Sequence, residues 1–403
     1  MKNNYKVYGY RWVVLATYML VNLTMQMLWI TYAPITSLAA DFYGVSDLKI
    51  GLLSMSFMIA FIPLSIPVSW MIDRYGFRLA VGIGSVMMGA FGVLRGLAGA
   101  NYGLVLASTI GIAAAQPFLL NTWTTVPAKW FPKDERATAV GLVTLANLVG
   151  TGLSMVLTPI LVEDGMPIPQ VQLLYGGISA VAAILFVLTA RETPPTPPCE
   201  DGEEVRALML DGLKHALTVK PFLYYVFVSF VGLGIFNGVT TWVENIIHPR
   251  GFTPTDAGTL GALMLVGGVL GAVIIPMFSD KTRKRQVFML TSILLAIPGL
   301  IGLIYARSAW LLFVSAFEMG FFLVSVNPIG MQYASEVTQP TPEGTSNGLI
   351  QLFGQASVVF VYIMEAMKTA DGSFTWSLLL AAALLVVCAL LVTQMKDPLK
   401  SDC

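Results

Sequence analysis

The chain has 403 residues, of which 56% are hydrophobic and only 11% are charged. Soluble domains carry about 25% charged residues, so this composition excludes an ordinary globular protein, and a mean hydropathy of +0.74 agrees. The 23 basic and 23 acidic residues cancel, so we expect no nucleic-acid partner. The three cysteines are scattered without CxxC spacing, and they predict neither a disulfide framework nor a thiolate metal site.

Apolar runs long enough to cross a membrane follow one another along the chain. A helix needs about 20 apolar residues to cross a hydrocarbon core about 30 Å thick. The first run is longer than the apolar core of a signal peptide, about 7–15 residues, so we expect it to remain as a first span. The sequence predicts an all-α membrane protein of twelve transmembrane helices, at approximately 11–35, 50–72, 77–99, 102–127, 136–162, 170–190, 221–246, 256–279, 286–306, 309–334, 344–367 and 373–395.

A polar segment divides the spans into two groups of six. Residues 191–220 open with RETPPTPPCEDGEE and predict a linker between an N-terminal bundle, 1–190, and a C-terminal bundle, 221–403. When the N-terminus is placed inside, the loops on that side carry most of the Lys and Arg, so the positive-inside rule predicts cytoplasmic N- and C-termini. We expect a monomeric, multi-pass protein of the plasma (cell inner) membrane, in contact with the lipid bilayer and a small-molecule substrate.

The inner end of the second span is repeated at the inner end of the eighth. PVSWMIDRYGFR and PMFSDKTRKR place Asp73 and Asp280 207 positions apart, and the same offset carries Gly141 onto Gly348. Such repeated halves are typical of secondary transporters. Charges near helix ends at this face can hold a gate in one state and release it in another; plain loop charge is the alternative. The predicted gating residues are Asp73, Arg74, Arg78, Arg136, Asp280 and Glu343.

Amide and aromatic side chains inside the spans are candidate contacts for a substrate. Asn22, Gln26 and Trp29 share one face of the first helix, which must point inward because amides facing lipid are costly. Hydrogen bonding between helices is an equal alternative for the two amides. In the fourth span Gln116 precedes a proline, which frees a backbone carbonyl, and Asn121 follows. We expect this part of the span to line a cavity.

Ionisable residues inside spans are functional candidates by default. Arg95 and Glu244 fall near the outer ends, where snorkelling is an equal alternative, whereas Glu318 and Glu365 can bind a cation or carry a proton. None of these carboxylates lies at the midplane, so we expect transport that needs no proton gradient. The sequence has no GxxxxGK[ST] loop, no metal-ligand cluster and no Ser/His/Asp set. We therefore expect neither an enzyme, nor an ATP-driven pump, nor a cofactor.

Several blocks of sequence carry a family resemblance. The segment DRYGFR, from Asp73 to Arg78, resembles the helix 2–3 signature of the major facilitator superfamily. Longer blocks resemble, in order and nearly end to end, the feline leukaemia virus subgroup C receptor (FLVCR) family. These blocks are YRWVVLATYMLVN, WITYAPITSLAADFYGVSDLKIGLLSMSFMIAFIPLSIPVSW, KWFPKDERATA, NLVGTGLSMVLTPILV, TARETPPTPP and GFFLVSVNPIGMQYASEVTQPTPEGTSNGL.

The resemblance implies a major facilitator fold and a transport function. Members of the FLVCR family move choline and ethanolamine, haem has been proposed as a cargo, and more distant relatives export a vitamin from lysosomes. The resemblance assigns the family's helix 1 tryptophan to Trp29 and its glutamines in helices 4 and 11 to Gln116 and Gln355. The family's helix 7 tyrosine falls on Asn237, a departure that removes one aromatic wall of a cation cage.

Three functions therefore remain open from the sequence. We favour a facilitator or secondary transporter that moves a small organic amine by alternating access. A proton- or anion-coupled carrier of an organic acid, vitamin, drug or haem is the first alternative, in which Glu318 and Glu365 would matter more than Trp29. A non-transporting membrane receptor that keeps the same fold is the second.

Overall fold

The computed structural model describes residues 6–132, 135–196, 214–282, 284–339, 341 and 343–395. Among these residues, twelve helices are long and apolar enough to cross a membrane, so the prediction of an all-α, twelve-span protein is confirmed. Two of the predicted gating residues, Asp280 and Glu343, lie in helices, but their side chains are outside the described part.

The chain divides into two compact units, Met1–Glu204 and Val205–Cys403. In unit 1 a short helix, Thr125–Trp130, precedes the fifth span. The helices of spans 1 to 6 are Arg11–Ile30 with Thr36–Tyr43, Asp47–Tyr75, Phe77–Leu97, Tyr102–Leu120, Arg136–Glu163 and Ile168–Thr189.

Unit 2 repeats the six-span plan. A short helix, Val243–Ile247, follows its first span. The helices of spans 7 to 12 are Lys220–Thr241, Pro254–Thr282, Arg285–Tyr305, Ala309–Val337, Glu343–Ala356 with Val358–Ala366, and Thr375–Thr393. The bundle limits proposed from the sequence, 1–190, 191–220 and 221–403, remain a prediction.

Glycines bring some spans into backbone contact. A Cβ at Gly176 of span 6 would overlap the main chain of Gly92 in span 3, and a Cβ at Gly320 of span 10 would overlap the carbonyl of Met264 in span 8. Helices in lipid associate through such close packing because burying apolar surface gives little gain there. The small residues therefore fix which spans are neighbours within each unit.

Two spans end earlier than the sequence predicts. The apolar run of the fourth span predicts a helix to residue 127, but the helix ends at Leu120, where the Asn121 side chain is bonded to span 2. The run of the seventh predicts a helix to residue 246, but it ends at Thr241 because Trp242 leaves helical geometry and donates its indole N–H to the Val361 carbonyl, 2.9 Å away. In both cases a tertiary hydrogen bond overrides a continuous apolar run.

Two further spans are broken inside the membrane-crossing region. Span 1 stops at Ile30 and resumes at Thr36 after a 3₁₀ turn that contains Pro34. Pro34 has no N–H to continue the helical hydrogen bonds, so the helix must break near it. Span 11 is interrupted at Ser357. Trp29 and Gln355, two predicted contacts of the substrate, each lie within two residues of a break.

Candidate functional site

Trp29 occupies the last turn of the first helix of span 1 and is half-buried. Its indole N–H donates to the Ser54 carbonyl at 3.3 Å, and the Ser54 hydroxyl donates to the Trp29 carbonyl, also at 3.3 Å. This reciprocal pair fixes the ring against span 2. With the indole N–H engaged, the ring surface is the part of the side chain that can contact a ligand.

Gln116 lies in span 4, one residue before Pro117, and is only 6% exposed. Its buried side-chain oxygen, Oε1, has no hydrogen-bond partner among the described residues. A buried acceptor without a partner costs about 1–3 kcal/mol. This oxygen is therefore free to accept a hydrogen bond from an N–H or O–H group.

Two other predicted contacts in unit 1 are engaged in joining helices. Gln26 donates from Nε2 to Oδ1 of Asn147 in span 5, at 2.9 Å. Asn121 donates from Nδ2 to the Ser65 carbonyl and to the Ser69 hydroxyl, both at 2.9 Å. For Gln26 the structure thus shows the alternative of hydrogen bonding between helices. Asn147 is absent from the contacts predicted by sequence, although an amide inside an apolar span is the signal that identifies Gln26.

The predicted contacts in unit 2 have free side chains. Gln355 and Asn237 are half-buried, and neither makes a side-chain hydrogen bond within the described ranges of the chain. Gln355 precedes the break of span 11 by two residues. Of the four positions that the family resemblance assigns, Trp29 and Gln116 therefore lie in unit 1, and these two amides lie in unit 2.

The ionisable residues of the spans have different environments. Arg95 is 1% exposed and donates from Nη1 to the Leu28 carbonyl at 2.9 Å, so it does not snorkel. Glu365 lies 3.8 Å from the Lys368 ammonium. Glu318 is half-buried and forms no ion pair with any residue that the structure describes.

Glu244 lies beyond the end of span 7 and not inside it. It is 1% exposed, in the short helix Val243–Ile247, and its carboxylate is 3.0 Å from Nδ1 of His248. Arg250 follows and donates from Nη1 to the Ala306 carbonyl at 2.8 Å. Burial lowers the pKa of Arg250 from its ordinary value, but an arginine stays charged at neutral pH. This region therefore ties the link between spans 7 and 8 to the end of span 9.

One end of unit 1 carries a charged cluster, which we call the charged cluster of unit 1 (Gly76 to Arg78, Lys129 and Glu192). The Glu192 carboxylate accepts from the backbone N–H groups of Phe77 and Arg78, at 3.2 and 2.7 Å, and pairs with the Lys129 ammonium. A carboxylate at a helix N-terminus is stabilised by the helix dipole. Gly76, with φ of 85°, leaves room for this carboxylate, since a Cβ there would overlap it.

The other predicted gating residues of unit 1, Asp73, Arg74 and Arg136, differ in their contacts. Asp73 is exposed and has no partner within the described residues. The Arg74 guanidinium lies 5.3 Å from the Trp70 ring centroid, and Arg136 donates from Nε to the Phe131 carbonyl at 3.1 Å. Sequence reasoning misses Glu192 because it falls in the segment predicted as a linker, more than 100 residues from the helix end that it caps.

Unit 2 has an ion pair at matching positions of the repeat. Arg285 donates to both carboxylate oxygens of Glu336, each at 2.7 Å, and Gln332 donates to the same carboxylate at 3.0 Å. The offset of 207 positions carries Arg78 onto Arg285 and Lys129 onto Glu336. The same two positions of the repeat therefore form polar contacts between segments at one end of each unit, although the second position is a lysine in unit 1 and a glutamate in unit 2.

Comparison with known proteins places this architecture in a family. A family model of the Major Facilitator Superfamily matches residues 14–253 and 245–401. Solute carrier family 49 member A3 of Danio rerio is 30% identical over 399 residues, which cover 93% of this chain and 84% of that protein. The choline/ethanolamine transporter flvcr2b of the same species is 27% identical over 405 residues, covering 94% and 83%. The chain belongs to the Major Facilitator Superfamily and, within it, to the FLVCR family.

Solved structures agree on the fold. A bacterial homologue of the human lysosomal transporter Spinster, in an inward-facing and unoccupied conformation, superposes with a TM-score of 0.76. The match covers 97% of this chain and 98% of that one, at 15% sequence identity. Its family membership and its twelve candidate spans make the FLVCR-family protein described here an integral, multi-pass membrane protein and a transporter of the major facilitator type.

Proposed function

We propose that this FLVCR-family protein moves a small organic amine, of the choline or ethanolamine class, across the membrane by alternating access. The observation that carries the proposal is the half-buried ring of Trp29, held by Ser54 at a break of span 1. An indole face attracts an ammonium group by about 0.5–2 kcal/mol. The curated relative flvcr2b, named a choline/ethanolamine transporter, supports the same substrate class.

The amides complete the proposed contacts. Gln116 presents an unpaired buried oxygen, and Gln355 has a free side chain beside a break in span 11. Either amide can bond a hydroxyl or amine group of the substrate. Asn237 supplies a polar group where the family has an aromatic one, so we expect a weaker cation cage than in the choline transporters of the family. Gln26 and Asn121 act indirectly, by holding span 1 against span 5 and span 4 against span 2.

Gating is proposed to use the matching ends of the two units. In unit 1 Glu192 accepts hydrogen bonds from the start of span 3 and pairs with Lys129 in the segment after span 4. In unit 2 the Arg285–Glu336 pair connects span 9 to span 10. Asp73, Arg74, Arg78 and Arg136 belong to the first of these ends by sequence, and Asp280 and Glu343 belong to the corresponding end of unit 2. We place these ends, with both termini, on the cytoplasmic side of the plasma membrane, by the positive-inside rule.

Coupling to protons is not part of the proposal. A proton-coupled carrier would need an acid that titrates along the substrate path, and the candidates are Glu318 and Glu365. Glu365 already has an ion-pair partner in Lys368, 3.8 Å away. Glu318 alone is half-buried without an ion pair among the described residues, and it is the residue on which the proton-coupled alternative rests.

A ligand screen on the purified, folded protein tests the substrate class. Choline, ethanolamine, a dicarboxylate, thiamine and haem are each added while thermal unfolding is followed. A ligand at 100 times its dissociation constant stabilises a protein by about 2.7 kcal/mol, so a true substrate raises the melting temperature clearly. We expect choline or ethanolamine to do so in the wild type and less in Trp29→Ala. A response to the dicarboxylate or haem alone would contradict the proposal.

A further inference from the structure

The last turn of the first helix of span 1 is held by side chains from three other spans. Where a helix ends, its final carbonyl groups lose their backbone partners and must find others. Three of the last four carbonyl groups here accept from different neighbours: Met27 from the Ser154 hydroxyl at 2.9 Å, Leu28 from Arg95 Nη1 at 2.9 Å and Trp29 from the Ser54 hydroxyl at 3.3 Å.

The residues just beyond the break are held as well. Gln172 of span 6 donates from Nε2 to the Thr31 hydroxyl at 3.2 Å. Spans 2, 3, 5 and 6 therefore all contribute a polar contact to a short stretch of span 1, from Met27 to Thr31. Such a set of contacts defines where the helix stops, and hence the direction in which the adjacent ring of Trp29 points.

Arg95 is the one charged member of this set. Its guanidinium is 1% exposed, lies 5.5 Å from the ring centroid of Tyr32 and forms no ion pair in the part of the chain that the structure describes. Burying a cation without a carboxylate is costly. The compensation available here is the negative end of the helix that stops at Ile30, together with the Tyr32 ring. The break of span 1 therefore compensates part of the charge at this position, and the buried Nε and Nη2 of Arg95 have no hydrogen-bond partner among the described residues.

We infer that Arg95 is a positioning residue for Trp29: it holds the neighbouring carbonyl of Leu28 and so fixes the end of the helix that presents the indole ring to the substrate. The inference has two halves. The first, that Arg95 sets the break of span 1, stands independently of the proposed function. The second, that Arg95 affects substrate binding, rests on the proposed function because it needs Trp29 to contact the substrate. The two halves can be measured separately.

A double-mutant cycle on choline binding tests the second half. Calorimetry with choline is run on the wild type, Arg95→Gln, Trp29→Ala and the double variant in the same detergent. We expect Arg95→Gln to weaken binding by about 5- to 30-fold, at most as much as the loss of the indole face. In the Trp29→Ala background the same change should have no further effect, because residues that act as one unit are non-additive. Additive losses would overturn the inference.

Arg250→Gln is the matched control. Arg250 is another arginine that holds main-chain carbonyls, those of Ile246, Ile304 and Ala306, but it is only half-buried and lies in unit 2. We expect Arg250→Gln to lower thermal stability while leaving choline affinity unchanged. An equal loss of affinity in Arg250→Gln would assign the effect of Arg95 to general destabilisation and overturn the inference. Arg95→Lys, which keeps the charge and one donor, should restore part of the affinity, and it replaces Arg95→Gln if that variant does not fold.

Hydrogen exchange measured by mass spectrometry tests the first half without any ligand. In Arg95→Gln the amides of residues 29–36 should exchange faster than in the wild type, whereas those of span 5 should not change. Unchanged exchange at 29–36 would overturn the inference whatever the binding data. If Trp29→Ala alone leaves choline binding intact while exchange at 29–36 rises in Arg95→Gln, the proposed function fails and the role of Arg95 at the break stands. A stabilisation by chloride over gluconate that disappears in Arg95→Gln would assign Arg95 to an anion instead, and would also overturn it.

Discussion

At the scale of single residues, the proposed contacts differ in how much of each side chain remains free. The indole N–H and the carbonyl of Trp29 are both hydrogen-bonded to Ser54, so the face of the ring is the part that a ligand can contact. Gln116 retains an unpaired oxygen, whereas Gln26 is bonded to Asn147. A substitution at Trp29 or Gln116 should therefore change affinity, and a substitution at Gln26 should first change the packing of spans 1 and 5.

Replacing Trp29 should weaken the binding of an amine in proportion to the lost ring. If the ammonium group is desolvated in the complex, the indole face contributes about 1–2 kcal/mol. Trp29→Ala should then weaken choline affinity by about 5- to 30-fold. Trp29→Phe should have a smaller effect because a smaller ring remains. Isothermal calorimetry measures both, and equal losses in the two variants would argue against a cation–π contact.

Restoring the aromatic wall should have the opposite effect. Asn237→Tyr introduces at span 7 the residue that the family resemblance implies, and a second ring near the ammonium should strengthen choline binding by up to about tenfold. Asn237→Phe serves as the control, since it adds the ring without the hydroxyl. Unchanged or lost choline affinity in a folded Asn237→Tyr protein would contradict a choline-like site at this position.

The sequence identifies the polar residues inside the spans but not their partners. An amide or a charge in an apolar run is visible in one sequence, and Gln26, Asn121 and Arg95 are all predicted to matter for that reason. Their partners, Asn147, Ser65 and the Leu28 carbonyl, are decided by helix packing across more than 50 residues. For Gln26, substrate contact and helix pairing are therefore equally compatible with the sequence, and its partner Asn147 becomes visible only in the packing of spans 1 and 5.

At the scale of helices, spans 3 and 6 depend on a close approach of their backbones. A side chain at Gly176 would overlap Gly92, whereas one at the adjacent Gly177 would meet nothing within 4 Å. Gly176→Ala should therefore lower the free energy of unfolding by about 1–3 kcal/mol through overpacking. Gly177→Ala should be neutral or slightly stabilising, since alanine favours a helix. Thermal unfolding of both variants in detergent compares them directly, and similar melting temperatures would contradict the close approach of these two spans.

The apolar runs predict all twelve spans, yet spans 4 and 7 end earlier than predicted and span 1 continues beyond residue 35 to Tyr43. Span length follows from bilayer thickness and is readable from hydropathy. The end of span 7 instead depends on Trp242, whose N–H reaches the Val361 carbonyl, and the end of span 4 on the bonds of Asn121 to span 2. Pro34 is a chemical signal for the break in span 1, but its position within a long apolar run gives no indication of the side chains that hold it.

At the scale of the whole molecule, the repeat relates the two units without reproducing their chemistry. Arg78 and Lys129 correspond to Arg285 and Glu336 by the common offset. In unit 2 the two matching residues pair with each other, whereas in unit 1 Lys129 pairs with Glu192, which also caps the helix that contains Arg78. Equivalent ends are thus tied by different partners, as expected of halves that diverged after duplication.

Weakening the Glu192–Lys129 ion pair of unit 1 should change transport more than binding. Glu192→Gln keeps the shape of the side chain but removes the charge that pairs with Lys129 and caps span 3. We expect a several-fold slower maximal rate, because one conformation is disfavoured, with choline affinity unchanged within about threefold. Glu163→Gln, at the C-terminal end of span 5, is a control of equal charge change. A maximal transport rate equal to that of the wild type in Glu192→Gln, measured by uptake into proteoliposomes, would contradict a gating role for Glu192.

Uptake of radiolabelled choline and ethanolamine by proteoliposomes containing the purified protein is the most direct measurement of the proposed function. We predict saturable uptake of at least one of the two amines, insensitive to a protonophore and reduced at subsaturating concentration by Trp29→Ala. Uptake driven by acidification and abolished by the protonophore would instead support a proton-coupled carrier in which Glu318 or Glu365 carries the proton. Folded protein that moves neither amine under any ion gradient or membrane potential would contradict the assignment of this chain as an amine transporter.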